Sequence, residues 1–365
     1  MLTAIGLMSG TSLDGVDVAL IETDGERIGR FGPTSYRAYA DDERDLLRRA
    51  LADAVPMTDR NARPGALADA EQLVTRAHVE AVENFLKAHN LSRDSIDIIG
   101  FHGQTVLHRP EQKLTVQIGD GHALAKALAM PVVFDLRAAD VAAGGQGAPL
   151  VPVYHRALVR MLNSDGPAVV VNIGGVSNIT YIDGETLMAC DTGPGNALLD
   201  DFMLRRTSEA MDRDGRTAAT GHADQVWIAR ALNRPFFTAP PPKSLDRNDF
   251  AALTVDDMKT EDGAATLTAF TAASIAMIAP MLPRLPASWI VVGGGASNPT
   301  LMAMLSKRLA PAAVVRGADL GWSGDAVEAQ AFAYMAVRSL KSLPLTFPGT
   351  TGVLSALTGG VLAKP

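Results

Sequence analysis

Apolar runs separated by short glycine-rich turns dominate the first part of the chain. Residues 3–8 and 16–23 are apolar with partial alternation, which is typical of strands. The segment between them, Ser9 to Gly15, is too short for a helix and rich in turn formers, so the two runs predict a β-hairpin. Further patterns predict a strand over 28–40 and helices over 41–54 and 65–89.

The middle of the chain continues with strands, turns and helices. Residues 96–103 predict a strand, and 115–128 predict a hairpin-like segment that leads into a helix. Residues 131–152 begin as a strand and become a loop rich in glycine and proline, which favours a crossover between domains.

The opening pattern returns in the second half of the chain. Residues 168–183, AVVVNIGGVSNITYID, are again two apolar runs around a small-residue turn, about 165 residues after the first such pair. This self-similarity predicts two domains built on one plan. Residues 289–305 predict a strand, a glycine turn and a helix that begins near Asn298, and 323–340 predict another helix.

One apolar stretch, residues 264–282, is long enough to resemble a membrane span. It carries four hydroxyl side chains, follows Glu261 and Asp262, and meets Pro280 and Pro283 at its end. These features favour a buried interior helix.

Composition limits the function classes. A length of 365 residues favours two domains, and a net charge of −7 argues against a nucleic-acid partner. The single cysteine, Cys190, excludes an internal disulfide framework. The single cysteine also suits a reducing cytoplasm, where we expect a protein with no membrane partner. No basic stretch precedes an apolar core at the N-terminus, so we expect no signal peptide.

The glycine turns supply the parts of a nucleotide site. Backbone N–H groups can converge on a phosphate only where no side chain blocks the approach, and glycine permits this. Three segments fit: a first clamp of Gly10, Thr11, Ser12 and Gly15, a second of Gly174, Gly175 and Ser177, and a shelf for the base and ribose at Gly293, Gly294 and Gly295. Neither a GxxxxGKS/T loop nor a GxGxxG motif occurs, so any ATP is held in another way.

Three aspartates are candidates for chemistry. Asp14 and Asp17 flank the first clamp and suit Mg²⁺, which commonly binds one or two carboxylates together with substrate phosphates. The alternative for Asp14 is that it only forms the turn. Asp191 ends an apolar run and precedes two glycines, which suits a general base or a metal ligand. The alternative is that Asp191 only caps the next helix.

The histidines and the cysteine give weaker indications of a functional site. His102 and His108 are six residues apart, not the four that a helical zinc pair needs, so a substrate-contacting loop or structural hydrogen bonding is favoured. Cys190 lies in an apolar run, which favours a buried, inert thiol.

Several motifs along the chain resemble those of a known family. The segments GLMSGTSLDGVD, GFHGQTVLHRP, GGQGAPLVP, VNIGGVSNIT, CDTGPGN and GGGASN resemble those of the anhydro-N-acetylmuramic acid kinases, within the actin-like and hexokinase-like ATPase superfamily. The resemblance implies an α/β fold of two ribonuclease-H-like domains, with mixed sheets flanked by helices and an ATP cleft between them. We expect the first domain at 1–138 plus 344–365 and the second at 139–343.

The resemblance also implies an activity. The enzyme would use ATP and Mg²⁺ to open 1,6-anhydro-N-acetylmuramic acid hydrolytically and phosphorylate its oxygen-6, giving N-acetylmuramic acid 6-phosphate and ADP in murein recycling. It would be a homodimer. In this sugar oxygen-6 is locked in an ether to carbon 1, so Asp191 would activate a water that attacks carbon 1.

The resemblance assigns further residues by position. Glu328 falls at a supporting acid near the sugar and water. The segment for the ATP phosphates comprises Gly10, Thr11, Ser12, Leu13, Asp14, Gly15, Val16 and Asp17. The expected sugar contacts are Gln104, Thr105, Arg137, Gly195 and Asn196, and Arg137 could pair with the lactyl carboxylate.

Two points stay open in the sequence. Trp322, Ser323 and Gly324 depart from the turn expected before Asp325, which puts the presentation of Glu328 in doubt. Other members of the superfamily remain as alternatives: another sugar or acyl kinase, or an ATP-binding protein of the chaperone type with no small substrate.

Overall fold

The structure, a computed structural model, describes residues 1–162, 166–245, 249–324 and 326–365. Its strands are β1 (Leu2–Ser9), β2 (Gly15–Thr23), β3 (Ile28–Ala38), β4 (Ile98–Arg109), β5 (Leu114–Ile118), β6 (Val132–Phe134), β7 (Ala168–Ile173), β8 (Val176–Asp183), β9 (Thr186–Pro194), β10 (Ser288–Val292), β11 (Ala313–Arg316) and β12 (Val361–Ala363). Its helices are α1 (Asp41–Ala54), α2 (Leu67–Ala88), α3 (Gly121–Leu128), α4 (Ala138–Ala142), α5 (Pro152–Met161), α6 (Ala197–Thr207), α7 (Arg216–Thr220), α8 (Gln225–Leu232), α9 (Pro235–Thr238), α10 (Thr260–Ala276), α11 (Pro299–Leu309), α12 (Val327–Leu340) and α13 (Pro348–Thr351).

The chain forms two compact units, one of residues 1–163 and 325–365 and one of residues 164–324. In the first unit the strands lie in the order β12-β6-β4-β1-β2-β3, and β5 pairs with β4. β1, β2 and β3 form an antiparallel meander, whereas β4 joins β1 in parallel and β6 joins β4 in parallel. The predicted hairpin of β1 and β2 is confirmed.

The second unit repeats this plan. Its strands lie in the order β11-β10-β7-β8-β9, again with an antiparallel meander followed by two parallel additions. The path β3-β2-β1-β4-β6 of the first sheet thus corresponds to β9-β8-β7-β10-β11 of the second. The expectation of an α/β fold with two mixed sheets flanked by helices is confirmed, and so is the common plan of its halves.

Residues alternate between the two faces of β1, and each face meets different helices. Ile5 and Leu7 are fully buried in a core shared with α1, α2 and α3. Gly6 lies on the other face, where a Cβ atom would overlap the carbonyl oxygen of Ala329 in α12. Gly100 of β4 is in the same position against Phe332. The backbone of α12 therefore lies directly on the sheet, which no larger residue at Gly6 would allow.

The packing of α12 explains why the boundaries of the units differ from those expected. Residues 139–162 and 326–343, expected in the second domain, lie in the first unit, and the segment 131–152 does not cross over. The hydroxyl of Tyr154 in α5 donates to Gln330 of α12 at 2.9 Å, and both side chains are buried. Since α12 covers one face of the first sheet, residues on either side of it remain with that sheet.

The long apolar stretch of the second unit is a core helix. Residues 260–281 are long and apolar enough to cross a membrane, yet 72% of an 18-residue apolar window within them is buried inside the protein. Every residue of α10 from Gly263 to Ile275 is buried. Its hydroxyls are satisfied within the protein: those of Thr266 and Thr268, for example, donate to backbone carbonyls one turn earlier. The predicted interior helix is confirmed.

The contact between Gly6 and α12 yields a stability test. We expect Gly6→Ala to destabilise the protein by about 1–3 kcal/mol, because the added methyl must displace helix backbone rather than a flexible side chain. Unfolding in denaturant measures the change. Gly324→Ala is the control, since no atom in the described parts of the chain lies within 4 Å of a Cβ placed there, and equal stability of the two variants would contradict the packing.

Candidate active site

The turn between β1 and β2 exposes backbone donors. It comprises residues 10–14, and Leu13 closes it with φ 57° and an N–H that donates to Gly10 O at 3.2 Å. Thr11 and Ser12 are exposed, and within the described parts of the chain nothing accepts a hydrogen bond from their backbone N–H groups. The turn therefore offers free N–H groups of the kind that bind anions.

Not every residue predicted for this clamp can touch a ligand. The side chains of Leu13 and Val16 are buried in the core of the first unit. Gly15 packs against β3, where a Cβ would overlap the carbonyl oxygen of Arg37. The exposed Asp14 accepts a hydrogen bond from the Ser12 hydroxyl at 2.9 Å, and the half-buried Asp17 lies in β2 opposite Tyr36. Gly10, Thr11 and Ser12 are thus the residues of the predicted clamp whose backbone a ligand could reach.

A cavity of about 490 Å³ adjoins this turn within the first unit. Its walls come from β1, the turn, β4, the segment after β6, the following loop and α12. The lining residues are Met8, Gly10, Thr11, Ser12, His102, Thr105, His108, Arg137, Ala148 and Glu328. The predicted residues Thr105, Arg137 and Glu328 therefore face one space with the first clamp.

Arg137 is the cation of this cavity. One Nη atom donates to Gly147 O at 2.8 Å, while Nε and the other Nη lie 3.3 and 3.1 Å from Nε2 of His102. Burial lowers the pKa of Arg137 to about 10, opposed by the charges of Glu328 and Asp140. The guanidinium remains charged at neutral pH and is held in one orientation, which suits recognition of a carboxylate.

His102 supports Arg137 as a neutral ring. Its Nδ1 lies 3.2 Å from Ser9 O, and its Nε2 faces the guanidinium. A carbonyl requires a donor and a guanidinium requires an acceptor, so the proton lies on Nδ1. Burial and the charge of Arg137 hold the pKa of His102 well below its usual value. The structural hydrogen bonding considered for this histidine is what the structure shows.

One acid and one amide complete the account of this unit. Glu328, in the first turn of α12, lines the cavity and is exposed to it. The surrounding protein raises its pKa, and the charge of Arg137 acts in the opposite direction. Gln104, expected to contact substrate, is instead fully buried, and both ends of its amide are hydrogen-bonded inside the protein.

In the second unit three small-residue segments meet at one edge of the sheet. The carbonyl oxygens of Gly174 and Gly175 accept N–H groups from residues 195–197 at 2.7 to 3.2 Å. A Cβ on Gly195 would overlap Gly174 O, and a Cβ on Gly293 would overlap the side chain of Asn172. The second clamp, the predicted shelf at 293–295 and the loop with Gly195 and Asn196 are therefore adjacent.

The surface of these segments is open in some places and filled in others. A Cβ on Gly174, Gly175 or Gly294 would meet nothing closer than 3.7 Å, so these glycines leave room for a ligand over the backbone. Ser177, predicted to bind nucleotide, is fully buried, and its hydroxyl bonds Thr192 at 2.7 Å and Gly193 O at 3.1 Å. The Ser177 hydroxyl instead connects β8 to the end of β9 inside the protein.

Asp191 lies near the end of β9, three residues before Pro194. Its carboxylate accepts the N–H of Leu245 at 2.7 Å, and its own N–H donates to Lys243 O at 2.9 Å. It does not cap α6, whose N-cap residue is Asn196. Burial raises the pKa of Asp191 to about 6, and the hydrogen bond from Leu245 only partly offsets this. A carboxylate with a pKa near neutrality is suited to accept a proton.

The other candidate groups of the sequence are less reactive. Burial raises the pKa of Cys190 to about 12, so its thiol is protonated and inert, as expected. His108 is hydrogen-bonded to Thr115 at 3.0 Å. The described residues contain no group of three His, Cys, Asp or Glu side chains arranged to hold a metal ion.

Two supporting residues escaped sequence reasoning. The hydroxyl of Thr271, in α10, donates to Gly195 O at 2.8 Å and fixes the loop after Asp191. Its only signal was a polar residue in an apolar helix, which implies a buried partner without naming it. Ser9 contacts Tyr39 and Gln104, 30 and 95 residues away, and no local pattern marks it.

Comparison with known proteins places these features in a family. The sequence matches the anhydro-N-acetylmuramic acid kinase family over residues 2–364. The chain is 66% identical over 366 residues to the anhydro-N-acetylmuramic acid kinase of Nitrobacter winogradskyi, and 65% identical over 365 residues to that of Rhodopseudomonas palustris strain BisB18, with 100% of each chain covered in both comparisons.

Solved structures resemble the chain only at the level of its general architecture. A ROK family glucokinase from Streptomyces griseus, in complex with glucose and AMPPNP, aligns with a TM-score of 0.43 and 12% identity over 92% of this chain and 99% of that one. A similarity of this size says nothing about substrate or mechanism.

Proposed function

The chain belongs to the anhydro-N-acetylmuramic acid kinase family. From that premise we propose which of its residues bind the nucleotide, which bind the sugar and which activate water. It is a kinase that opens 1,6-anhydro-N-acetylmuramic acid and transfers phosphate to it from ATP, in the recycling of peptidoglycan. The observation that carries the residue assignment is the half-buried carboxylate of Asp191, with its raised pKa, on the strand that leads into the small-residue loop at Gly195.

Asp191 is the general base. The sugar has no free hydroxyl at carbon 6, so a nucleophile must first come from water. The carboxylate of Asp191 takes a proton from this water as its oxygen attacks carbon 1. The bond between carbon 1 and oxygen-6 breaks, oxygen-6 takes the γ-phosphoryl group, and ADP leaves. A pKa of about 6 keeps Asp191 mostly ionised at neutral pH while making it a stronger base than an ordinary aspartate.

The glycine turns bind the triphosphate. In the first unit the free N–H groups of Thr11 and Ser12 supply fixed donors, and in the second unit the backbone at Gly174 and Gly175 is open to a ligand. Gly293, Gly294 and Gly295 form the floor for the nucleoside. Donors that are already in place stabilise developing phosphate charge without reorganisation.

The cavity of the first unit holds the sugar. Arg137 binds the lactyl carboxylate with the N–H groups that His102 and Gly147 leave available. Thr105 lines the same wall. The family resemblance also assigns Gly195 and Asn196 of the second unit to sugar binding. Glu328, whose pKa is also raised, orients the water and the ring beside Arg137.

Mg²⁺ fits the acids of the first turn. Asp14 is exposed and Asp17 half-buried, and a phosphate-bound Mg²⁺ keeps most of its waters and requires only one or two carboxylates. When bound, the ion would neutralise charge on the phosphate oxygens. We also propose, on the basis of the family, a homodimer in the cytoplasm.

Isotope labelling tests the coupled reaction. We expect incubation with Mg-ATP and the anhydro sugar in ¹⁸O-water to give a 6-phosphorylated sugar with the label at carbon 1, because the attacking oxygen comes from solvent. Mass spectrometry of the product locates the label. Release of ADP without a phosphosugar, or a phosphosugar without label at carbon 1, would contradict the proposal.

Removal of the base tests the role of Asp191. We expect Asp191→Asn to lower kcat by about 10²–10⁴, the usual contribution of a general base, with the affinity for ATP preserved. Steady-state kinetics and nucleotide titration measure the two effects. Asp183→Asn, at the half-buried aspartate that ends β8 and pairs with Arg284 in the same unit, is the control and should keep wild-type kcat. Wild-type turnover in Asp191→Asn would exclude this assignment.

The pKa of Asp191 also predicts a pH profile. The base must be ionised to accept a proton, and burial raises its pKa to about 6. We therefore expect kcat/KM for the sugar to fall by about tenfold per pH unit below that value and to be level above it. The residual activity of Asp191→Asn should lack this limb, and a limb retained in the variant would assign the titration to another group.

A further inference from the structure

The start of the first turn is held by a side chain from a distant strand. Gln104 of β4 is fully buried, and its Oε1 accepts a hydrogen bond from the Ser9 hydroxyl at 2.6 Å. Its Nε2 donates to Gly10 O at 3.1 Å. One amide thus binds the last residue of β1 through one end and the first residue of the turn through the other.

The sheet ladder changes register where this amide acts. β1 and β4 pair in parallel from Ala4 to Leu7, and the register then shifts so that Ser9 lies opposite Gln104. The ladder between β1 and β4 ends at this single pair, directly before the turn. The Gln104 side chain adds two hydrogen bonds there, in a site from which water is excluded, where such bonds are strong.

Other residues also bind the chain at Ser9 and Gly10, which together form the corner between β1 and the turn. His102 lies 3.2 Å from Ser9 O through Nδ1, and the hydroxyl of Tyr39 lies 3.1 Å from the Ser9 hydroxyl. The N–H of Tyr39 donates to Asp14 O at 2.8 Å, on the far side of the turn. The corner at Ser9 and Gly10 is therefore fixed, whereas the N–H groups of Thr11 and Ser12 remain available.

We infer that Gln104 is a positioning residue for the phosphate-binding turn and makes no contact with the sugar. The inference rests on the proposed binding of ATP phosphates by Thr11 and Ser12. Without the amide, Gly10 O loses one of its two donors and the turn can shift relative to β4. A displacement of about 1 Å at a site that orients a reacting group costs up to about 10²-fold in rate.

The test is Gln104→Met, which keeps the length and volume of the side chain and removes both hydrogen bonds. We expect KM for ATP to rise by about tenfold while KM for the anhydro sugar changes by less than about twofold, because only the turn loses its support. Steady-state kinetics with each substrate varied in turn measure the split. A residue in contact with the sugar would give the opposite split.

Gln330→Met is the matched control. Gln330 is also buried in the first unit, and its Oε1 accepts the hydroxyl of Tyr154 at 2.9 Å, away from the turn. We expect this variant to lose thermal stability as Gln104→Met does and to keep KM for ATP. An equal rise in KM for ATP in both variants would mean that general destabilisation, and not the position of the turn, causes the effect.

Two further variants separate the possible failures. Ser9→Ala removes only the bond to Gln104 Oε1 and to Tyr39, so it should raise KM for ATP by a smaller factor and replaces Gln104→Met if that variant does not fold. Thr11→Pro removes one of the two free N–H groups of the turn itself. If Thr11→Pro raises KM for ATP and neither Gln104→Met nor Ser9→Ala does, the inference is wrong; if all three leave KM for ATP unchanged, the proposed role of the turn is wrong.

Discussion

Parallel pairing of two strands decides where the functional residues of each unit lie. β4 runs parallel to β1 and β10 runs parallel to β7, so the end of the added strand lies at the same sheet edge as the hairpin turn. In a meander the third strand also points the same way as the first, which brings the end of β9 to that edge too. Ligands of open α/β sheets bind at such carboxyl ends.

The same constraint accounts for the candidate site of each unit. In the first unit it gathers the turn at Gly10, the end of β4 and the segment that carries Arg137 around one cavity. In the second it gathers Gly174, Gly195 and Gly293, whose backbones approach so closely that side chains at Gly195 and Gly293 would overlap their neighbours. Repetition of one topology therefore produces two comparable sites for backbone donors, and each is specialised by the side chains beside it.

Burial sets the chemistry of those side chains. His102 is kept neutral and can accept a hydrogen bond from Arg137, which remains charged. Asp191 has few favourable contacts for its negative charge, so its pKa rises to about 6. Burial also raises the pKa of the adjacent Cys190, so its thiol stays protonated and inert. The same desolvation makes a carboxylate a better base and a thiol a poorer nucleophile, because their ordinary pKa values lie on opposite sides of neutrality.

Local sequence patterns determined many of the strands, turns and helices of this protein. Alternation and glycine turns predicted the hairpin of β1 and β2, its counterpart of β7 and β8, and the strand and helix around Gly293–Gly295, because turn chemistry and periodicity act over a few residues. The motifs also identified the family. Sequence alone could not assign α12 to the first sheet, bury Gln104 and Ser177, or join Ser9 to Tyr39. Those outcomes depend on contacts between residues far apart in the chain, and only the tertiary structure brings such residues within the distance of a hydrogen bond.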